Sequence, residues 1–212
     1  PSKKTYYSVP QFGGVIVPIN YRLTADDFVY LINHSGSKVV CAHPDYFDAI
    51  DSIRGQLPNV EHFVAFEGAK AGWLDYEDLI AQASPDFEAV EVAETDLLSV
   101  NYTSGTTSRP KGVMITHRNL MTMGLAYFTD VDAVSAQDAI VYAAPMSHGA
   151  GLYAIPHLMT GARHVVPASG GFDAAELFEL GQEVGPLSMF AAPTIVKRLV
   201  DHAEENSLTP EA

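Results

Sequence analysis

The stretch Val100-Asn101-Tyr102-Thr103-Ser104-Gly105-Thr106-Thr107-Ser108-Arg109-Pro110-Lys111-Gly112-Val113 joins two apolar runs through a bend of small and hydroxylated residues that ends in a lysine. Gly105 allows the backbone to come close to a ligand. Thr103, Ser104, Thr106 and Thr107 set hydroxyls beside a row of N–H donors, and Lys111 adds a point charge. Such a set can cradle the oxygens of a polyphosphate. Hydrogen bonds to an ionised partner contribute about 1.5–3 kcal/mol each, roughly twice a neutral one. An ordinary Ser/Thr-rich turn has the same composition, so residue types alone leave both readings open. The Walker pattern is a different matter. Started at Gly105, it requires glycine at position 110 and Ser or Thr at 112, and the chain has Pro110 and Gly112.

On either side of this bend, short β-branched runs alternate with helical patterns. Strands are expected at Val15–Ile19, Lys38–Ala42, Val60–Phe66, Leu97–Thr103, Gly112–Ile115, Ala139–Ala144, Arg163–Pro167 and Leu187–Ala192. Helices are expected at Ala25–His34, Asp45–Gln56, Tyr76–Ala83, His117–Phe128, Leu152–Thr160, Ala174–Val184 and Thr194–Glu205. Thr24 with Asp27 reads as a capping box, and Asp45, Thr116 and Asp173 read as further N-caps. Near-continuous apolar strands between helices predict an α/β fold of mostly parallel sheets flanked by helices. The segment 85–96, with Pro85 and the acids Asp86, Glu88, Glu91, Glu94 and Asp96, reads as an acidic connector between portions 1–84 and 97–212.

Composition narrows the classes further. The chain has 212 residues, 47% of them hydrophobic, enough for a sizeable core. Lys+Arg 12 against Asp+Glu 26 gives a formal charge of −14, and acids outnumber cations in both halves. With no basic stripe, a nucleic-acid surface is excluded. No run approaches the ~20 apolar residues of a membrane span. Cys41 is the only cysteine, so no disulfide can form within the chain, and a cytoplasmic location is expected. Its apolar neighbours predict a small inert core residue.

The bend resembles the phosphate-binding signature of the acyl-adenylate-forming (AMP-binding) superfamily, which includes acyl-CoA synthetases, adenylation domains of peptide synthetases and luciferases. The match runs residue by residue from Thr103 to Gly112, with Ser108 where most members carry glycine. Gly13-Gly14-Val15-Ile16-Val17-Pro18-Ile19-Asn20, Thr116-His117-Arg118-Asn119-Leu120, Pro145-Met146-Ser147-His148-Gly149 and Ala192-Pro193-Thr194 are similar to other family segments, in the same order. The resemblance implies part of the N-terminal domain of an acyl-CoA synthetase-like fold. It also implies an ATP-dependent carboxylate–CoA ligase: a fatty or aryl acid attacks the α-phosphate of ATP, and coenzyme A then takes the acyl group from the adenylate. By the same resemblance, Thr103, Ser104, Gly105, Thr106 and Thr107 hold phosphate oxygens and Thr103 contacts Mg²⁺. Lys111 neutralises the leaving pyrophosphate. His148 lines the junction of nucleotide and acyl pocket, with Leu152 and Tyr153 just beyond it. The family's Tyr-Gly-x-Thr-Glu motif, its Thr-Gly-Asp segment and its small C-terminal domain have no counterpart here. The chain is therefore expected to be an internal portion of a larger enzyme, inactive alone.

Rival patterns are present. Gly149-Ala150-Gly151-Leu152-Tyr153-Ala154 fits G-x-G-x-x-A, with Asp173 about 20 residues on, as an NAD-dependent oxidoreductase would place its ribose acid. Ser147 beside His148 suggests a hydrolase, but G-x-S-x-G needs glycine at 145 and the chain has Pro145. A non-catalytic fragment with uncovered strand edges, associating as a homodimer, is a third reading.

Overall fold

The computed structural model describes residues 2–103, 109–146 and 149–208, leaving aside the side chains of 2–4. The chain forms two compact units, Pro1–Asn119 and Leu120–Ala212.

The first unit begins with helix α1 (Ser2–Gln11) and continues with α2 (Ala25–Ser35), β1 (Val39–Ala42), α3 (Phe47–Ile53), β2 (His62–Ala65), β3 (Leu74–Asp75) and α4 (Tyr76–Gln82). The hairpin β4 (Leu97–Tyr102) and β5 (Gly112–Thr116) follows. Helix α2 starts where its capping box predicts: the Asp27 N–H donates to Thr24 Oγ1 at 3.3 Å, and the Thr24 N–H donates to Asp27 Oδ2 at 3.0 Å. Gly36 ends it in the left-handed conformation, φ 68°. β1, β2 and β3 lie parallel in that order. Phe28 and Ile32 from α2 and Phe47, Ile50 and Ile53 from α3 pack with Val40, Phe63 and Trp73 into one core. The Trp73 indole N–H donates to Asp51 Oδ1 at 2.9 Å, which pairs its buried polar atom.

Three features of this unit depart from the sequence expectations. Val15–Ile19 is not a strand; Ile16 alone bridges Ser99, and Pro18, lacking an N–H, cannot extend the ladder. β4 and β5 pair antiparallel, because residues 103–111 are too few for a crossover, which needs about a dozen or more. Asp45 does not cap the next helical turn; that place belongs to His43, whose ring accepts from the Asp45 N–H. The acidic stretch lies within the first unit: residues 84–93 carry neither helix nor strand, and all but Val92 there are exposed or open to solvent. Its far end is tied down, since the Arg118 guanidinium pairs with Glu94.

The division between units falls in the first turn of α5 (His117–Asp130). Beyond it come β6 (Ala139–Val141), α6 (Gly149–Leu152), α7 (Ala154–Thr160), β7 (Arg163–Val165), α8 (Ala174–Val184), β8 (Leu187–Ser188) and α9 (Pro193–Glu205). β6 is central, parallel to β7 on one side and β8 on the other. Its alternation decides the layering. Ile140 and Tyr142 point to Ala154 of α7, whereas Val141 and Ala143 point to Leu177 of α8. Both faces are thus covered by helix, as parallel sheets require. Among the described residues, no helix is long and apolar enough to cross a membrane.

Thr24→Ala removes the α2 cap and is expected to lower stability by about 1 kcal/mol, with an unchanged denaturant slope in urea unfolding.

Candidate functional site

The predicted site residues fall on both units. On the first, Thr103 and Lys111 close the β4–β5 hairpin face to face. The Thr103 N–H donates to the Lys111 carbonyl at 3.0 Å, and the Lys111 N–H reaches Thr103 Oγ1 at 3.4 Å. Both residues are exposed. Among the described residues the Lys111 ammonium has no carboxylate within ion-pair reach. Gly112 follows for a steric reason: a Cβ there would lie 2.7 Å from Val100 Cγ1, a stiff β-branched neighbour on the opposite strand. Ser104, Gly105, Thr106 and Thr107 lie outside the described residues, as does His148. A hydroxyl and an unpaired ammonium at the open end of a hairpin suit an anion. They form an electropositive point in a chain of net charge −14.

The sequence reading missed what holds this hairpin. Tyr30 and His34, one turn apart on α2, reach its two limbs. The Tyr30 hydroxyl donates to the Pro110 carbonyl at 3.1 Å, and His34 Nδ1 lies 2.7 Å from the Tyr102 hydroxyl. Arg109 sets its guanidinium over the Tyr30 ring, 5.3 Å from the centroid. The available signal was the i, i+4 spacing of two aromatic rings on one helix face. Burial, more than the neighbouring Tyr30, pushes the Tyr102 phenol above its ordinary range.

On the second unit, Leu152 ends α6 and is 49% exposed. Tyr153 lies between α6 and α7 with its ring edge-on to two others, Tyr127 at 5.0 Å and Phe190 at 5.2 Å. His157, fully buried, has Nδ1 2.8 Å from the Tyr153 carbonyl and its ring against Tyr127. The glycines of the G-x-G-x-x-A stretch are accounted for by packing. A Cβ on Gly151 would come within 2.0 Å of the Met146 carbonyl oxygen, and one on Gly149 within 2.7 Å of the Phe190 ring. Asp173, the supposed ribose acid, accepts the Glu176 N–H at 3.0 Å and caps α8. The dinucleotide reading thus loses both its glycines and its acid.

A cleft of about 500 Å³ opens on the first unit between Ile19, Phe28, Val40, Tyr46 and Phe66, and none of the predicted site residues lines it. Cys41 faces this cleft. It is exposed and not in the core as its apolar run predicts, yet its apolar surroundings push the thiol up to about 11.

Comparison with known proteins bears on the chain as a whole. The model of the AMP-binding enzyme family matches residues 4–211. The chain belongs to the AMP-binding enzyme family. A long-chain-fatty-acid–CoA ligase of Thermus thermophilus is 34% identical over 205 residues, covering 95% of this chain and 37% of the relative. The inhibitor-bound N-terminal domain of FACL13 from Mycobacterium tuberculosis superposes with a TM-score of 0.80 at 28% identity, over 97% of this chain and 50% of that one. The anthranilate CoA ligase AuaEII, solved with anthranoyl-AMP, gives 0.71 at 28% identity, over 76% of this chain and 32% of that one. This AMP-binding family chain therefore spans a little over a third of the curated relative's length. Its α/β architecture is that of the N-terminal domains of acyl-CoA ligases.

Two measurements check these packings. Gly151→Ala is expected to destabilise by about 1–3 kcal/mol, because backbone must move, whereas Gly171→Ala, with open space around it, stays within about 0.5 kcal/mol in urea titrations. Cys41 at pH 8 is expected to alkylate about a hundredfold more slowly in the folded chain than in urea. Its thiolate fraction falls tenfold for each unit by which the thiol is raised from 9.0 to about 11, and reactivity recovers as pH rises towards 11.

Proposed function

We propose that this chain is the phosphate-binding part, with a portion of the acyl-binding part, of an ATP-dependent carboxylate–CoA ligase. The observation that carries the reading is the β4–β5 hairpin, which joins the Thr103 hydroxyl to Lys111, whose ammonium no carboxylate among the described residues pairs with, in a stretch that resembles the family's phosphate signature. In this reading Thr103, Ser104, Gly105, Thr106 and Thr107 bind the β- and γ-phosphates of ATP. Lys111 offsets the charge that develops on pyrophosphate as the carboxylate attacks the α-phosphate. No protein nucleophile is needed, since phosphoryl chemistry of this kind is governed by positioning and charge stabilisation. Mg²⁺, when bound, would offset further phosphate charge, and the Thr103 hydroxyl is the donor this chain offers it. His148, Leu152 and Tyr153 line the acyl side. The acid is fatty or aryl, coenzyme A is the acceptor, and the cytoplasm is the compartment that a lone, unpaired Cys41 suits.

The size of one effect separates catalysis from mere surface charge. An exposed ion pair contributes about 0–1 kcal/mol, whereas a preorganised donor facing transition-state charge contributes about 2–4 kcal/mol. In the whole ligase, Lys111→Ala is expected to raise the adenylation barrier by about 2–4 kcal/mol, measured as ATP-dependent pyrophosphate release. Thioester formation from preformed acyl-adenylate is expected to keep its rate. An equal loss in both half-reactions would make Lys111 a structural residue and remove the reading's main support.

A further inference from the structure

We infer that Tyr30 and His34 of α2 are positioning residues for nucleotide binding, a pair of latches that fix the two limbs of the β4–β5 hairpin. The inference rests on the phosphate-binding reading of that hairpin given above.

The geometry is specific. A loop that binds phosphate through backbone N–H groups works only if its two ends are held at a set separation, because donors that must reorganise on binding contribute less. Ladder pairing holds the limbs up to Tyr102 and Gly112, and Thr103 with Lys111 adds one further closure. α2 adds support from outside the ladder at two points, one at its last pair and one past it. His34 engages Tyr102 on the incoming limb at 2.7 Å, and Tyr30 engages Pro110 on the outgoing limb at 3.1 Å. The outgoing contact is the more informative one. Proline has no N–H with which to join the ladder, so its carbonyl is the group left to be fixed, and the Tyr30 hydroxyl fixes it. The same ring carries the Arg109 guanidinium on its face at 5.3 Å and the His34 ring at 5.2 Å. His34 in turn meets the Tyr102 ring edge-on at 5.7 Å. Arg109, Tyr30, His34 and Tyr102 thus form one continuous chain of contacts across the mouth of the hairpin.

The helix itself is well anchored. Thr24 and Asp27 cap its start, Gly36 its end, and Phe28, Leu31 and Ile32 are buried behind the ring pair. Tyr30 and His34 therefore project from a rigid element, which is what a positioning role requires. Both engage the limbs of the hairpin, at Tyr102 and Pro110, so their expected effect is on ATP affinity more than on the chemical step.

The test uses two readouts. In the 212-residue chain, Tyr30→Phe keeps the ring and removes the hydroxyl, and the Thr103 amide is expected to exchange its hydrogen about 2- to 10-fold faster, the equivalent of one net hydrogen bond. Amides of β1 and β2 are expected to keep their wild-type rates. In the whole ligase, the same variant is expected to raise KM for ATP by a comparable factor, with KM for the acid unmoved and kcat changed less than KM. His34→Ala is expected to behave likewise, and His34→Asn, which returns a hydrogen-bonding group near Nδ1, to recover most of the loss. Unchanged exchange at Thr103 with unchanged KM for ATP would overturn the inference. So would a uniform rise in exchange across the first unit, which marks general destabilisation. A wild-type ligase indifferent to ATP would overturn the phosphate reading instead, and the exchange experiment would still decide whether the latches exist.

Discussion

The closure of Thr103 against Lys111 is the constraint on which the candidate site depends. An antiparallel pair needs only a short connection, so the ladder sets the two ends of the β4–β5 bend locally, and Tyr30 and His34 of α2 brace them from far along the chain. The ladder leaves room for no side chain at Gly112, where Val100 already fills the space across the strand pair. That combination leaves a hydroxyl and an ammonium at the open end, both residues exposed, with no ion pair to Lys111 among the described residues. In a chain with more than twice as many acids as bases, Lys111 is one of the described cations that no acid pairs with.

The second unit solves a different problem with parallel strands. β6 is buried along its length, and its alternate residues serve separate helices, Ala154 of α7 on one face and Leu177 of α8 on the other. The segment that leaves β6 then has to turn sharply at Met146 and start α6 almost at once. Gly151 is what permits the Met146 carbonyl to sit so near the helix, and Gly149 accepts the Phe190 ring. A motif that looks like a dinucleotide fingerprint is here a packing solution, and Asp173 is a helix cap.

Local signals were the legible ones. α8 was readable to the residue, since Asp173 caps it and Leu177 and Leu180 mark its buried face. α2 and its capping box were equally plain. Thr116 was readable as the start of α5, where it exchanges hydrogen bonds with Asn119. Less legible was anything set by distant partners. Val15–Ile19 has strand composition, but Pro18 limits it to a single bridge at Ile16. Ser2–Gln11 is helical although its residues are on average hydrophilic and Pro10 lies inside it. Cys41 sits in an apolar run but on the strand face that opens into a cleft. Tyr30 and His34 gave only their spacing, because the groups they meet lie 80 and 68 residues further along the chain.

The glycine pair around α6 also bears on how this segment can change over evolutionary time. With Gly149 and Gly151 sterically locked and Ala150 and Ala154 buried, the backbone beside Tyr153 admits almost no variation. Leu152, half open to solvent, is the position that can drift without unseating the helix. A directed library aimed at this region would therefore find its freedom in one aliphatic side chain standing beside a sterically closed frame, a narrow mutational route that leaves the scaffold as it is.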